Sequence, residues 1–257
     1  MNGTEMMSGK RIVIVGASSG LGLYAAEAFA AMGWKVGAAA RSQSALETLK
    51  EKYPSNVEWQ KIDVTSEDAP QMLSRLISDL GGMDVYFHVS GICIENPTLE
   101  IDDDIKTVET NVGGFTRMID AAFNYFREKE VKGQIAAITS VAGTKGIADL
   151  ASYSAAKRYQ WTYLQALEQL AKRERLPVSF TEIRPGWTRT PLVKPDRRYL
   201  MAMNPEKVGS KVVKAVVKGR RRVVIDSRWA VMQVLWRLLP QWVWARIPLH
   251  ASYSMKE

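Results

Sequence analysis

Arg11-Ile-Val-Ile-Val15, running directly into Gly16-Ala-Ser-Ser-Gly20-Leu-Gly22, is the stretch whose reading decides the architecture. Four consecutive β-branched apolar residues suit a strand buried on both faces, because a half-exposed strand would alternate with polar residues. The glycine-rich turn that ends the run leads into an alanine-rich helical stretch, Leu21 to Met32. The unit is strand, turn, helix.

That unit repeats outward. Lys35 to Ala40 is strand-like, Gln43 to Lys52 helical, Val57 to Ile62 strand-like, Glu67 to Leu80 helical and Asp84 to Val89 strand-like. A long helix is predicted over Ile105 to Lys129, a strand over Gln134 to Thr139, a second long helix over Tyr153 to Arg173 and a strand over Val178 to Arg184. A loop punctuated by Pro and Gly follows, from Pro185 to Pro205. Asn204 before Pro205 and Glu206 is an N-cap with proline at the first helical position, predicting a helix to about Lys218. Arg222 to Ile225 supplies the last strand. Regular alternation of this kind predicts an α/β protein with a doubly wound parallel sheet of about seven strands, a Rossmann fold flanked by helices. Residues 1–257 are expected to form one domain, with 228–257 a C-terminal amphipathic extension of it.

Hydrophobic residues make up 46% of the 257 and charged residues 24%, the profile of a globular chain rather than a disordered one. The formal charge of +8 suits an anionic cofactor, an anionic membrane surface or a nucleic acid alike. No nucleic-acid-binding motif accompanies it, so nucleic acid is set aside as a partner. Cys93 is the sole cysteine, and His88 and His250 are the only histidines. This excludes an intrachain disulfide and argues against a metal site. Cys93 reads as a small buried hydrophobe. Met1-Asn-Gly-Thr-Glu5 has no basic stretch followed by an apolar run, so a cytoplasmic location is expected.

The glycine turn lies between a strand and a helix N-terminus, where bare backbone lets a pyrophosphate approach the positive end of the helix dipole. Gly16, Ser18, Ser19, Gly20, Leu21 and Gly22 are therefore candidate cofactor contacts. An NAD site calls for a carboxylate at the end of the second strand, yet this strand ends Ala38-Ala39-Ala40 and is followed by Arg41 and Ser42. A guanidinium there suits the 2′-phosphate of NADP, so NADP(H) is preferred over NAD(H). The other reading of Arg41 is an ordinary solvent-facing turn residue.

Tyr153-Ser-Ala-Ala-Lys157 opens a predicted helix, and residues four apart share a face, so phenol and ammonium can lie side by side. Together with the spacing Gly-x-x-x-Gly-x-Gly, this resembles the short-chain dehydrogenase/reductase family, from Arg11 to about Ile225. The resemblance adds Ser140 and Asn111 to Tyr153 and Lys157 as a catalytic tetrad, and implies hydride transfer between the nicotinamide and a carbonyl or alcohol carbon. Tyr153 would be the general acid/base. A free phenol has a pKa of about 10, which Lys157 and the oxidised nicotinamide are expected to lower toward working pH. Ser140 would hold the substrate oxygen. Lys157 would also hold the nicotinamide ribose, with Asn111 positioning a water that links it to solvent.

The same resemblance makes Asp63 and Val64 an adenine-contacting pair, Ser90 and Gly91 backbone contacts, and Pro185 and Gly186 a turn before Thr188, which would meet the carboxamide. Three departures stand out. Val15 replaces the family's threonine before the first glycine, His88-Val-Ser-Gly91 stands where Asn-Asn-Ala-Gly is usual, and the 188–204 lid carries no clear substrate code. His88 is expected to be a structural hydrogen-bonding residue, and Trp187 can equally be simple packing. The scaffold can take a steroid, a 3-oxoacyl chain, a sphingoid ketone or a xenobiotic carbonyl. Relatives associate through the two long helices, so a homodimer or homotetramer is expected. The competing class is a catalytically silent NADP-binding regulatory protein.

Beyond Arg228 the chain departs from a minimal reductase. Trp229, Trp236, Trp242 and Trp244 supply four of its eight tryptophans, and Arg237, Pro240 and Arg246 interrupt the apolar run. A spanning helix needs about 20 apolar residues, so two short amphipathic helices meeting at Pro240 fit better. They would cover the substrate pocket, pack on a second subunit, or make peripheral contact with a membrane surface.

Overall fold

The computed structural model describes residues 9–254. The leader Met1 to Glu5 and residues 255–257 of the extension lie outside the described residues. The elements are β1 (Arg11–Val15), α1 (Gly20–Ala31), β2 (Lys35–Ala40), α2 (Gln43–Lys52), β3 (Val57–Lys61), α3 (Ala69–Asp79), β4 (Val85–His88), α4 (Ile101–Val108), α5 (Phe115–Lys129), β5 (Gly133–Ile138), α6 (Ala151–Arg173) and β6 (Val178–Pro185). They continue with β7 (Arg197–Arg198), α7 (Pro205–Val217), β8 (Arg222–Ile225), α8 (Ser227–Leu238), α9 (Gln241–Trp244) and β9 (Tyr253–Ser254).

Seven strands form one sheet in the order β3-β2-β1-β4-β5-β6-β8, each neighbouring pair parallel. The chain winds outward from β1 in one direction and restarts at β4 in the other. This leaves a crevice at the carboxyl ends of β1 and β4, where doubly wound sheets bind ligands. The apolar run of β1 divides between two cores. Ile12 and Ile14 pack with Phe29 of α1, Leu46 of α2 and Val212 of α7. Val13 and Val15 pack with Leu73 of α3, Phe123 of α5 and Leu164 of α6. Each fully buried aliphatic side chain of this kind contributes about 1.5–3 kcal/mol, which is why a central strand here has no room for a polar residue.

Two predicted elements differ. The helix expected over Ile105 to Lys129 starts at Ile101 and is interrupted by a π-helical segment, Glu109–Gly114. An apolar periodicity near 3.6 does not reveal a single widened turn, although Gly113-Gly114 marks the place. Here a Cβ on Gly114 would press on Val64, so the bulge lets the helix approach the loop after β3. The predicted loop from Pro185 to Pro205 contains the short β7, which pairs antiparallel with β9 at the chain's far end. Nothing local marks a two-residue strand. Asn204 caps α7 as read, its Oδ1 accepting from the amides of Glu206 and Lys207.

Candidate functional site

The crevice opens into a cleft of about 430 Å³. Its floor is the glycine turn. Gly16 has φ +97°, and a Cβ there would come within 2.6 Å of the Ser90 amide nitrogen. Only glycine satisfies both demands. Gly22 stands behind the lining rather than in it. A Cβ on Gly22 would overlap the Gly16 carbonyl, so its role is to seat α1 against the turn. Ser18, Ser19, Gly20 and Leu21 line the cleft. No side chain caps α1, leaving its first-turn amides facing the cleft, the arrangement that suits an anion.

At the far rim Arg41 and Ser42 follow β2, and Asp63 and Val64 follow β3. Burial opposes ionisation of Asp63, but the Thr65 amide and hydroxyl both donate to its Oδ1. With Arg41 adding its charge, these hold the carboxyl below its usual range. Arg41 is exposed and makes no ion pair among the described residues. The donor set fits a pyrophosphate at the glycine turn and a further anionic group at Arg41.

Ser140 sits beyond β5, and Tyr153 and Lys157 share one face of α6. All three line the same cleft as the glycine turn and are buried. Lys157 Nζ lies 5.6 Å from the Tyr153 ring centroid. Burial raises the Tyr153 pKa, a neighbouring Cys93 adds to this, and a hydrogen bond with Ser140 works against it. Removal from water dominates, and the phenol is held protonated. Burial lowers Lys157 to about 8 and raises Cys93 to about 12. His88 is pushed down to about 3 by burial and by Lys157, and its Nδ1 pairs with the Tyr86 hydroxyl at 2.9 Å. The imidazole is neutral near pH 7 and is held by a structural hydrogen bond.

Asn111 lies outside the cleft lining, fully buried within the π-helical segment. Its carboxamide clamps one residue at both ends: Oδ1 accepts from the Ile92 amide (2.9 Å) and Nδ2 donates to the Ile92 carbonyl (2.7 Å). The Asn111 backbone carbonyl accepts from Gln160 Nε2 (2.8 Å), and Gln160 Oε1 accepts from Lys157 Nζ (3.1 Å). Gln160 thus links Lys157 to the Asn111 backbone. It was not among the expected site residues, although a glutamine three residues after Lys157 lies on that helix face.

Pro185, Gly186 and Thr188 close the opposite wall beside Ser90 and Gly91. The Thr188 hydroxyl donates to the Gly186 carbonyl (3.2 Å). A Cβ on Gly186 would overlap the Trp229 indole, so the extension packs flat on the turn after β6. Trp229 is buried, lines the cleft, and its Nε1–H has no acceptor among the described residues. Trp187, Trp236, Ile147, Leu192 and Val193 add apolar lining, and Ile147 and Trp187 cluster with Tyr153. The lid is fastened through Tyr199, whose ring lies 4.6 Å from Trp187. Its hydroxyl donates to Glu95 (2.8 Å), which also accepts from the Ser252 hydroxyl (2.7 Å).

Comparison with known proteins places these features in context. The family model described as short chain dehydrogenase matches residues 10–200. The chain is similar to the uncharacterized oxidoreductase YxnA of Bacillus subtilis strain 168, 30% identical over 246 residues that cover 90% of this chain and 69% of the relative. In fold it is similar to a short-chain type dehydrogenase/reductase from Mycobacterium marinum, with a TM-score of 0.77 and 24% identity over 87% of this chain and 96% of that one. It is also similar in fold to an actinorhodin polyketide ketoreductase solved with NADPH, with a TM-score of 0.72 and 22% identity over 88% of this chain and 97% of that one.

Proposed function

The chain belongs to the short chain dehydrogenase family, and on that footing we propose that it is an NADPH-dependent reductase of apolar carbonyl compounds, with Tyr153 as the general acid. The observation that carries this reading is the convergence of a protonated, buried phenol, Ser140 and Lys157 with the glycine turn in one cleft. When bound, NADPH supplies the hydride.

The chain's own residues do the rest. Gly16, Ser18, Ser19, Gly20 and Leu21 receive the pyrophosphate, Gly22 fixes their helix, and Arg41 and Ser42 take the 2′-phosphate. Asp63 and Val64 flank the adenine, while Ser90, Gly91, Pro185, Gly186 and Thr188 meet the nicotinamide end. Ser140 donates a hydrogen bond to the substrate oxygen as negative charge grows there. Tyr153 then passes its proton to that oxygen, forming the alcohol hydroxyl. Lys157 stabilises the resulting phenolate and holds the ribose. Gln160 fixes Lys157 Nζ, and through it Asn111 steadies the ammonium. In the reduction direction a phenol that stays protonated is an advantage, since the acid must arrive loaded. The apolar wall of Trp187, Trp236, Leu192 and Val193 supports a bulky hydrophobic carbonyl, and the likeness to a polyketide ketoreductase agrees with that substrate class. Exposed Ile101, Ile105 and Val108 recur on one face of α4 and support association of two copies beside the long helices.

Consumption of NADPH and NADH, followed by nicotinamide absorbance against a panel of hydrophobic ketones, tests the reading. NADPH is expected to be preferred, and Tyr153→Phe to lower kcat by about 10²–10⁴-fold, the usual contribution of a positioned acid, with NADPH binding retained. NADPH binding with no turnover of any carbonyl instead favours the regulatory alternative.

A further inference from the structure

The outward side of the C-terminal extension carries two features that catalysis leaves unused. On α8 the side that holds Trp229, Gln233 and Trp236 faces the cleft and the sheet. The other side presents Val231, Val234, Leu235 and Leu238, each more than half exposed. Their spacing of three, four and seven residues makes one continuous stripe. Past Pro240, Trp242 is about two-thirds exposed.

Beside this stripe lies a second cleft, of about 750 Å³, between the 143–151 segment, α6 and the α8–α9 pair. Lys145, Arg158 and Arg237 line it, and no aspartate or glutamate does. Arg237 is one helical turn from Val234, so the cleft borders the stripe directly. Lys145 Nζ donates to the Leu239 carbonyl (3.0 Å) and Arg158 to the Thr144 carbonyl (2.8 Å). Arg158 and Arg237 both approach the Trp161 indole, at 4.9 and 5.8 Å from its centroid. Burial and the charge of Arg237 together push the Arg158 pKa down. Four other arginines have carboxylate partners: Arg184 and Arg222 share Glu182, Arg221 meets Glu168 and Arg228 meets Asp226. Among the described residues Lys145, Arg158 and Arg237 form no ion pair.

We propose that this face docks on an anionic phospholipid bilayer, with the stripe and Trp242 entering the interface and a headgroup phosphate held by Lys145, Arg158 and Arg237. No described helix is long and apolar enough to cross a membrane, so the extension lies in the plane of the surface, as amphipathic helices with flanking cations and tryptophan do. A second copy suits the face poorly. A twofold contact sets a patch against itself and would bring six like charges together on a chain whose formal charge is already +8. The exposed row on α4 offers such a copy an uncharged alternative. A free anion would account for the cations but not for the stripe. This inference stands apart from the reductase reading.

The test is sedimentation of the full chain with phosphatidylcholine vesicles, with and without phosphatidylglycerol. Binding is expected only when phosphatidylglycerol is present and should weaken as salt rises. Arg237→Glu and Leu238→Asp should each reduce partitioning about tenfold, in line with the small energy of each surface cation and each inserted apolar side chain. NADPH binding, measured in parallel, should be unchanged in both variants and reports that they are folded. Loss of it in the wild type would count against the reductase assignment alone. Sedimentation with neither vesicle, equal sedimentation with both, or full retention by both variants overturns the proposal. So does a Leu238→Asp-sensitive dimer without vesicle binding. Arg237-dependent binding of inorganic phosphate with no affinity for vesicles assigns the cleft to a soluble anion and overturns the lipid occupant.

Discussion

The cofactor end and the substrate end of the cleft are built on different principles. At the cofactor end, contacts come from backbone and short side chains: Gly22 against Gly16 and Thr65 on Asp63 lie within a few residues, and Gly16 meets Ser90 across the neighbouring strands β1 and β4. At the substrate end the extension and the lid depend on partners far along the chain. Trp229 rests on Gly186, Tyr199 is held by Glu95, and Glu95 also takes Ser252. The first end is held largely by close backbone approach. The second is held by side chains that must all fold into place at once.

The largest expected break in this contrast is Trp229→Ala. Emptying the site above Gly186 should cost about 3–5 kcal/mol of stability, measured by chemical denaturation, and raise KM for the carbonyl. Trp229→Phe, which keeps one aromatic ring over Gly186 and loses the second ring with its N–H, should recover part of that stability. A KM restored along with stability would assign the effect on the carbonyl to packing. At the cofactor end, Arg41→Ala should weaken NADPH binding by about 10- to 100-fold, the worth of a hydrogen bond to a charged group, while NADH binding changes little. Stability should barely move, because Arg41 is exposed and unpaired among the described residues.

The smallest effect sharpens the junction between the two ends. In the proposed mechanism Lys157 acts as a cation, and burial lowers its pKa to about 8, so kcat/KM should fall as pH rises through that value. Gln160→Leu removes an acceptor from the ammonium and leaves it among apolar groups, which moves the fall to lower pH. Gln160→Glu places a negative charge at the same distance and moves it to higher pH. Shifts of about one pH unit in opposite directions are expected. A profile unmoved by either variant would mean that Gln160 only packs.

Most of the sheet was legible because a parallel strand covered on both faces leaves an uninterrupted apolar run, as at Arg11–Val15, and because glycine and proline mark its ends. The tail was legible in part: Pro240 and the spacing of its tryptophans indicated two short helices, which α8 and α9 are. Which face turned inward was not legible, since Trp229, Trp236 and Trp244 face the protein while Trp242 is exposed. The π-helical segment was missed because one extra residue in a turn leaves the apolar period almost unchanged. The burial of Tyr153 was hidden for another reason: the spacing Tyr-x-x-x-Lys shows a neighbouring cation but not the depth at which the phenol sits.

From the sequence alone came what nearest neighbours in the chain dictate: the strand and helix order, the glycine turn, the missing carboxylate after β2 and the shared face of Tyr153 and Lys157. These follow from backbone sterics and helical spacing, which act over a few residues. Tertiary structure alone decided the Gln160 bridge from Lys157 to Asn111, the clasp of Tyr199 by Glu95 and the acid-free cleft of Lys145, Arg158 and Arg237. Each joins residues on separate elements, and hydrogen bonding and desolvation depend on distance in space, which no local pattern encodes.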